Sequence, residues 1–97
     1  MFLQIEDDEI QVELRDEFPV RARDGVIERI KVGLVARDRE EHRRWQDGLQ
    51  KAKKSGINST DGRGNITNRW RVLNTSWRKV EGHNQGFSLL CELEELR

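Results

Sequence analysis

Asp61-Gly62-Arg63-Gly64-Asn65 is the run whose residue types come nearest to a ligand-holding loop. Closely spaced glycines let backbone N–H groups converge on an anion, so a phosphate cradle is the first chemistry to consider. The run lacks the Gly-Lys-Ser/Thr ending of a P-loop, and it leads into a strand rather than a helix. It therefore reads as part of a flexible loop over residues 55–68. Metal and nucleophilic chemistry find less material. Cys91 is alone and sits in an alternating segment, where a thiol is a small buried hydrophobe. His42 falls on a helical apolar stripe and His83 in a turn, with none of the spacing a zinc site uses. Asp7 and Asp8 are adjacent in a turn and point apart, so they do not converge on a cation. No Ser/His/Asp arrangement can be built from these histidines. The chain reads as not an enzyme, with no catalytic residue, metal ligand or cofactor assigned.

Binding chemistry is better represented. Trp70 and Trp77 stand among Arg63, Arg69, Arg71, Arg78 and Lys79, and indoles flanked by cations stack on single-stranded nucleic acid. Strand parity divides them. Trp70 shares a face with Val72, whereas Trp77 shares one with Arg71, Leu73 and Thr75, so without a bulge the two indoles face opposite sides. Trp70 then belongs to the core and Trp77 to an interface.

The formal net charge is zero, which weakens a nucleic-acid reading, but the distribution is uneven. Residues 1–18 carry seven carboxylates, Glu6, Asp7, Asp8 and Glu9 among them, against Arg15. Residues 55–80 carry five cations against Asp61. Such opposite patches either pair within one fold or steer copies and partners into contact. The candidate partner-binding residues are accordingly Glu6, Asp7, Asp8, Glu9, Arg63, Arg69, Arg71, Trp77 and Arg78.

The elements that must position these residues form one domain, because 97 residues with 34% hydrophobic and 37% charged side chains support a single modest core. Leu3 and Ile5 alternate with polar residues, Glu6-Asp7-Asp8-Glu9 makes a turn, and Ile10, Val12 and Leu14 resume the alternation. Pro19 ends that strand, and Arg23-Asp24-Gly25 signals a turn. A long strand from Val26 carries Ile30, Val32, Leu34 and Ala36 on one face. Asp38 followed by Glu41 predicts a helix start, His42, Trp45, Leu49 and Ala52 its apolar stripe, and Gly56 its end, giving a helix over about residues 39–55. A C-terminal hairpin runs from Arg69 to Val80 and back from Gly86 to Leu93. The fold class is α+β: a small, mostly antiparallel sheet or partly open barrel or sandwich with one packing helix. The N-terminus has no signal-peptide pattern and no apolar run approaches membrane-spanning length, so a cytoplasmic protein is expected.

Asp38-x-x-Glu41…Trp45…Gly48-Leu49, then Trp70-Arg71-Val72 and Gly86-Phe87-Ser88-Leu89…Leu93, resemble the small β-rich proteins of phage tails and phage-tail-like machines. The likeness covers roughly residues 26–95. It implies no catalysis. It implies a structural subunit of a tail, baseplate or neck, made in the host cytoplasm and carried into the virion, that forms a ring or caps a tube through self-association or other assembly subunits. The alternative is a small module, a regulator or inhibitor, that binds nucleic acid or protein through Trp77 and the basic hairpin.

Overall fold

A computed structural model describes residues 1–79 and 86–96. A seven-stranded antiparallel sheet curls into a half-barrel around one helix. In chain order the elements are β1 (Phe2–Ile5), β2 (Asp8–Gln11), β3 (Glu13–Glu17), β4 (Val20–Ala22), β5 (Gly25–Ile27), β6 (Arg29–Ala36), α1 (Arg39–Ser55), β7 (Ile57–Thr60), β8 (Ile66–Lys79) and β9 (Phe87–Glu95). The main sheet runs β2-β1-β7-β8-β9-β6-β3, while β4 and β5 form a two-stranded sheet of their own. β2 and β3 are therefore the two edges of the sheet, yet only Val12 separates them along the chain.

Period-2 alternation fills the concave face. Ile30, Val32, Leu34 and Ala36 of β6 meet Leu93, Cys91, Leu89 and Phe87 of β9 in register, and all but half-buried Phe87 are buried. Leu3 and Ile5 of β1, Ile57 of β7, and Trp70 and Val72 of β8 continue this lining. α1 closes the concavity with Trp45, Leu49 and Ala52. The N-cap is as the sequence predicts: extended Asp38 accepts the Glu41 N–H through Oδ1 at 2.8 Å, a contact worth about 1 kcal/mol. The Glu41 carboxylate reaches back one residue further than a capping box, to the Arg37 N–H at 3.0 Å. Gly48 explains how closely the helix lies on β1, since a Cβ there would stand 2.7 Å from Ile5 Cγ2.

Four sequence-level expectations are corrected. The first turn is only Glu6-Asp7, and Asp8 and Glu9 belong to β2, paired with Ile5 and Gln4. The strand after that turn does not stay with β1: at Val12 it leaves, and Glu13–Glu17 pairs with β6 instead. The strand expected from Val26 breaks at Glu28, and Gly25–Ile27 turns back on β4. Residues 55–68 are not one irregular stretch, because Ile57–Thr60 pairs on both sides, with β1 and β8. Asn, Ser and Thr in this segment read as turn formers, and sheet pairing overrides that local preference. His83 and the rest of the 80–85 connection lie outside the described residues.

Cys91 is fully buried between β6 and β8 partners, and desolvation pushes its thiol up to about 12. The folded protein should therefore react with a thiol-specific reagent at least about a hundredfold more slowly than the denatured chain, at a rate reporting opening of the core. Labelling followed by mass spectrometry checks this, and rapid native labelling would place the thiol outside the core.

Candidate functional site

The residues proposed from sequence divide into three regions. The first is the loop that resembled a phosphate cradle. Asp61 organises it: Oδ1 accepts the Arg63 N–H at 2.7 Å and the Asn65 N–H at 3.3 Å, and Oδ2 accepts the Asn65 amide at 2.8 Å. These bonds, that of the Asn65 amide foremost, hold the Asp61 carboxyl below its ordinary value. Gly62 and Gly64 have φ of +88° and +84°, which side-chain-bearing residues rarely adopt. The result is a tight β7–β8 turn that folds back over β1. Gly62 sits against the Phe2 ring. The Gly64 N–H donates to Glu9 at 2.9 Å, and the Thr60 hydroxyl donates to the same carboxylate oxygen. The loop does cradle an anion, and that anion is the protein's own Glu9.

The second region is the basic hairpin. β8 carries a bulge against β9: Val72 pairs with Leu93, Asn74 with Glu92, and Leu73 is the extra residue. Side-chain phase inverts there. Thr75 and Trp77 consequently pair with buried Cys91 and Leu89, on the same concave face as Trp70. The division of the two indoles between opposite faces is thus overturned. Trp70 donates from Nε1 to Ser59 Oγ at 2.9 Å. Half-buried Trp77 packs on the core, edge-on to His42 at 4.4 Å between ring centroids, while His42 stacks on Phe87 at 4.1 Å. Trp77 thus packs on the concave side with the core rather than standing out from the convex face.

Arg69 and Arg71 are also engaged within the fold. Arg69 donates to the Ser55 carbonyl at 2.6 Å and to Asn58 at 3.1 Å. The strand register sets Arg29, Glu94 and Arg71 side by side on three neighbouring strands of the convex face. Glu94, whose side chain is only 9% exposed, accepts from Arg29 at 2.7 Å and pairs with Arg71 through its other oxygen. Arg29 above all, with Arg71, holds the Glu94 carboxyl below its ordinary 4.5 against the opposing effect of burial. The triad depends on cross-strand register, which one sequence does not display. Among the described residues, Arg63 and Arg78 make no side-chain ion pair. Arg78 borders a shallow convex groove of about 330 Å³ with Arg15, Gly33, Ser76 and Ser88.

The third region is the acidic hairpin. Its carboxylates do not meet the arginines of β8. Lys51 reaches Glu6 at 3.3 Å, and Asp8 takes Arg44 at 2.9 Å and the Trp45 Nε1–H at 3.4 Å. Helix α1 is therefore the hairpin's main cationic partner, and Asp7 is left exposed. Beside this hairpin the barrel is open. A cavity of about 410 Å³ lies between residues 7–10 and the end of β6 near Val35. A neighbouring space of about 560 Å³ is bounded by Gln11–Glu13 and Gly33–Val35. Glu41, Arg44 and Trp45 of α1 line the first. Among the described residues, no group of three or more His, Cys, Asp or Glu is placed to hold a metal ion, and no helix is long and apolar enough to cross a membrane. Comparison with family models, with curated proteins and with solved structures yields no match.

Replacing Glu94→Gln removes the acceptor charge from two arginines that are themselves partly solvated, 32% and 54% exposed. The loss should be about 1–3 kcal/mol of stability at pH 7, below the value for a fully buried pair because of that exposure. A depressed folded value means the wild-type advantage is complete above about pH 4.5. It disappears as pH falls through the folded value. Urea unfolding of both proteins from pH 7 to pH 3 measures it, and a pH-independent difference would assign the effect to packing.

Proposed function

We propose that this protein is a non-enzymatic structural subunit, comparable to a component of a phage tail, baseplate or neck, that assembles through complementary charged surfaces with copies of itself or with other subunits. One observation carries the reading. β4 and β5 form a sheet of only two strands, three residues each, outside the main sheet. An isolated two-stranded hairpin is at best marginally stable in water. This one carries half-buried Val20 and Ile27, and among the described residues neither a helix nor a further strand lies broadly against it. Such an arm gains its cover when another molecule supplies it. The exposed carboxylates Asp7, Asp16 and Glu17 and the exposed cations Arg63, Arg78 and Lys79 provide the unlike charges that orient such contacts.

The alternative, a nucleic-acid-binding hairpin, has less support. It needs indoles that stack outward and arginines free for phosphate, whereas Trp77 packs inward and Arg69 and Arg71 are bonded within the fold.

Sedimentation equilibrium across a concentration series is the test. Species heavier than the 11.4 kDa chain should form as concentration rises and weaken as salt rises. A strict monomer that binds single-stranded DNA with a steep salt dependence would replace this reading with the alternative.

A further inference from the structure

The open space beside the acidic hairpin has the geometry of a missing strand. β6 pairs with β9 along its whole length, to Ala36 and Phe87. On its other side it pairs with β3 only as far as Gly33 opposite Glu13. Continued antiparallel register would set Val12 against Leu34 and Gln11 against Val35, but β2 has already turned to pair with β1. Leu34–Ala36 and Asp8–Gln11 thus present two unpaired strand edges across the notch described above. Unsatisfied edges of this kind recruit extended chain.

We infer that the notch receives the β4–β5 arm of a second copy of this chain, an inference that rests on the assembly reading above. Length agrees: the open stretch of β6 is Leu34–Ala36, and each arm strand has three residues. Charge agrees as well. Carboxylates of residues 7–13 and Glu41 outnumber Arg37 and Arg44 around the notch. The arm presents Arg21 and Arg23, exposed and without an ion pair among the described residues. Apolar surface agrees too, since Val35 is 57% exposed beside half-buried Ile10, and the arm brings half-buried Val20 and Ile27.

The arm cannot serve its own notch. It leaves from the Arg29 end of β6 and the notch is at the Ala36 end, seven residues or about 23 Å away along the strand. Arm into notch is therefore a head-to-tail contact, which repeats to give a ring if the rotation closes and a filament if it does not.

The test combines charge reversal and cross-linking on the full chain. Arg21→Glu and Val35→Arg, each on an exposed strand position, should weaken self-association by about tenfold or more, with thermal unfolding confirming that both fold. The combination in one chain should restore part of it, because the new Glu and Arg face one another across the contact. As a second measurement, Arg21→Cys protein mixed with Val35→Cys protein should oxidise to a mixed disulfide dimer faster than either variant forms its own, Cys91 being buried. Wild-type self-association that both charge variants retain, without mixed cross-linking, would overturn the arm-in-notch contact and leave assembly standing. A wild-type chain that stays monomeric at all concentrations would overturn both.

Discussion

One residue, Val12, holds the two edges of the sheet together. Residues before it pair with β1 and residues after it pair with β6, and these strands lie on opposite sides of the seven-stranded order. A continuous backbone through Val12 allows this only if the sheet curls until its edges meet. Val12 is 5% exposed, and its N–H is tied to the Met1 carbonyl at 2.9 Å. Curling in turn creates the concave face on which Ile5, Trp70, Cys91 and Leu93 converge. A flat sheet of the same strands would leave that face for a single helix to cover, more than one apolar stripe can do. The core is as much a product of chain connectivity as of hydrophobic patterning.

Helix α1 completes the enclosure and anchors the edge. Its apolar stripe faces the barrel, while Arg44 and Lys51 reach Asp8 and Glu6 in the first hairpin. These partly exposed pairs contribute little apiece. They matter more for placement, since they dock an acidic edge strand against the helix. The convex face follows a different rule. Arg29, Glu94 and Arg71 line up across three strands, and the next row sets Asp16, Lys31, Glu92 and Asn74 in register. Beyond that row come Gly33, Leu90 and Ser76, with Arg15 lying over Gly33. Among the described residues, Arg15, Arg29 and Arg71 find carboxylate partners on this face, whereas Arg21, Arg23, Arg63 and Arg78 make no side-chain ion pair.

Local signals in the sequence were reliable where local physics decides. The helix and its Asp38 cap, the apolar face of β6, the buried thiol and the small β-rich class could all be read from spacing. What escaped was set by pairing between distant segments. Nothing around Leu73 announces a bulge, since Val-Leu-Asn-Thr alternates acceptably in either phase, yet that single residue decides which way Trp77 points. Ile57–Thr60 has turn-forming composition and becomes a strand because β1 and β8 flank it. Glu9 reads as one more carboxylate of an acidic turn, and only the folded loop makes it the anion for Gly64 and Thr60. Asp7, Asp8 and Glu9 stand out in the sequence as an acidic run, but that they border a notch with Val35 of β6 follows only from strand pairing.

Closure through Val12 also accounts for the opening. A strand that switches partners midway cannot pair fully with either, because the two it joins diverge on one side of the switch. Above Val12, Gln11 follows Phe2 of β1, so Val35 of β6 loses the neighbour that register would give it. Complete closure would need a further strand in this gap, and the described segments of the chain hold none there. The one short sheet the barrel does not use, β4–β5, stands at the far end of the same strand. The constraint that closes the core therefore leaves β6 with an unpaired edge at its Ala36 end, while the β4–β5 hairpin stands at its Arg29 end.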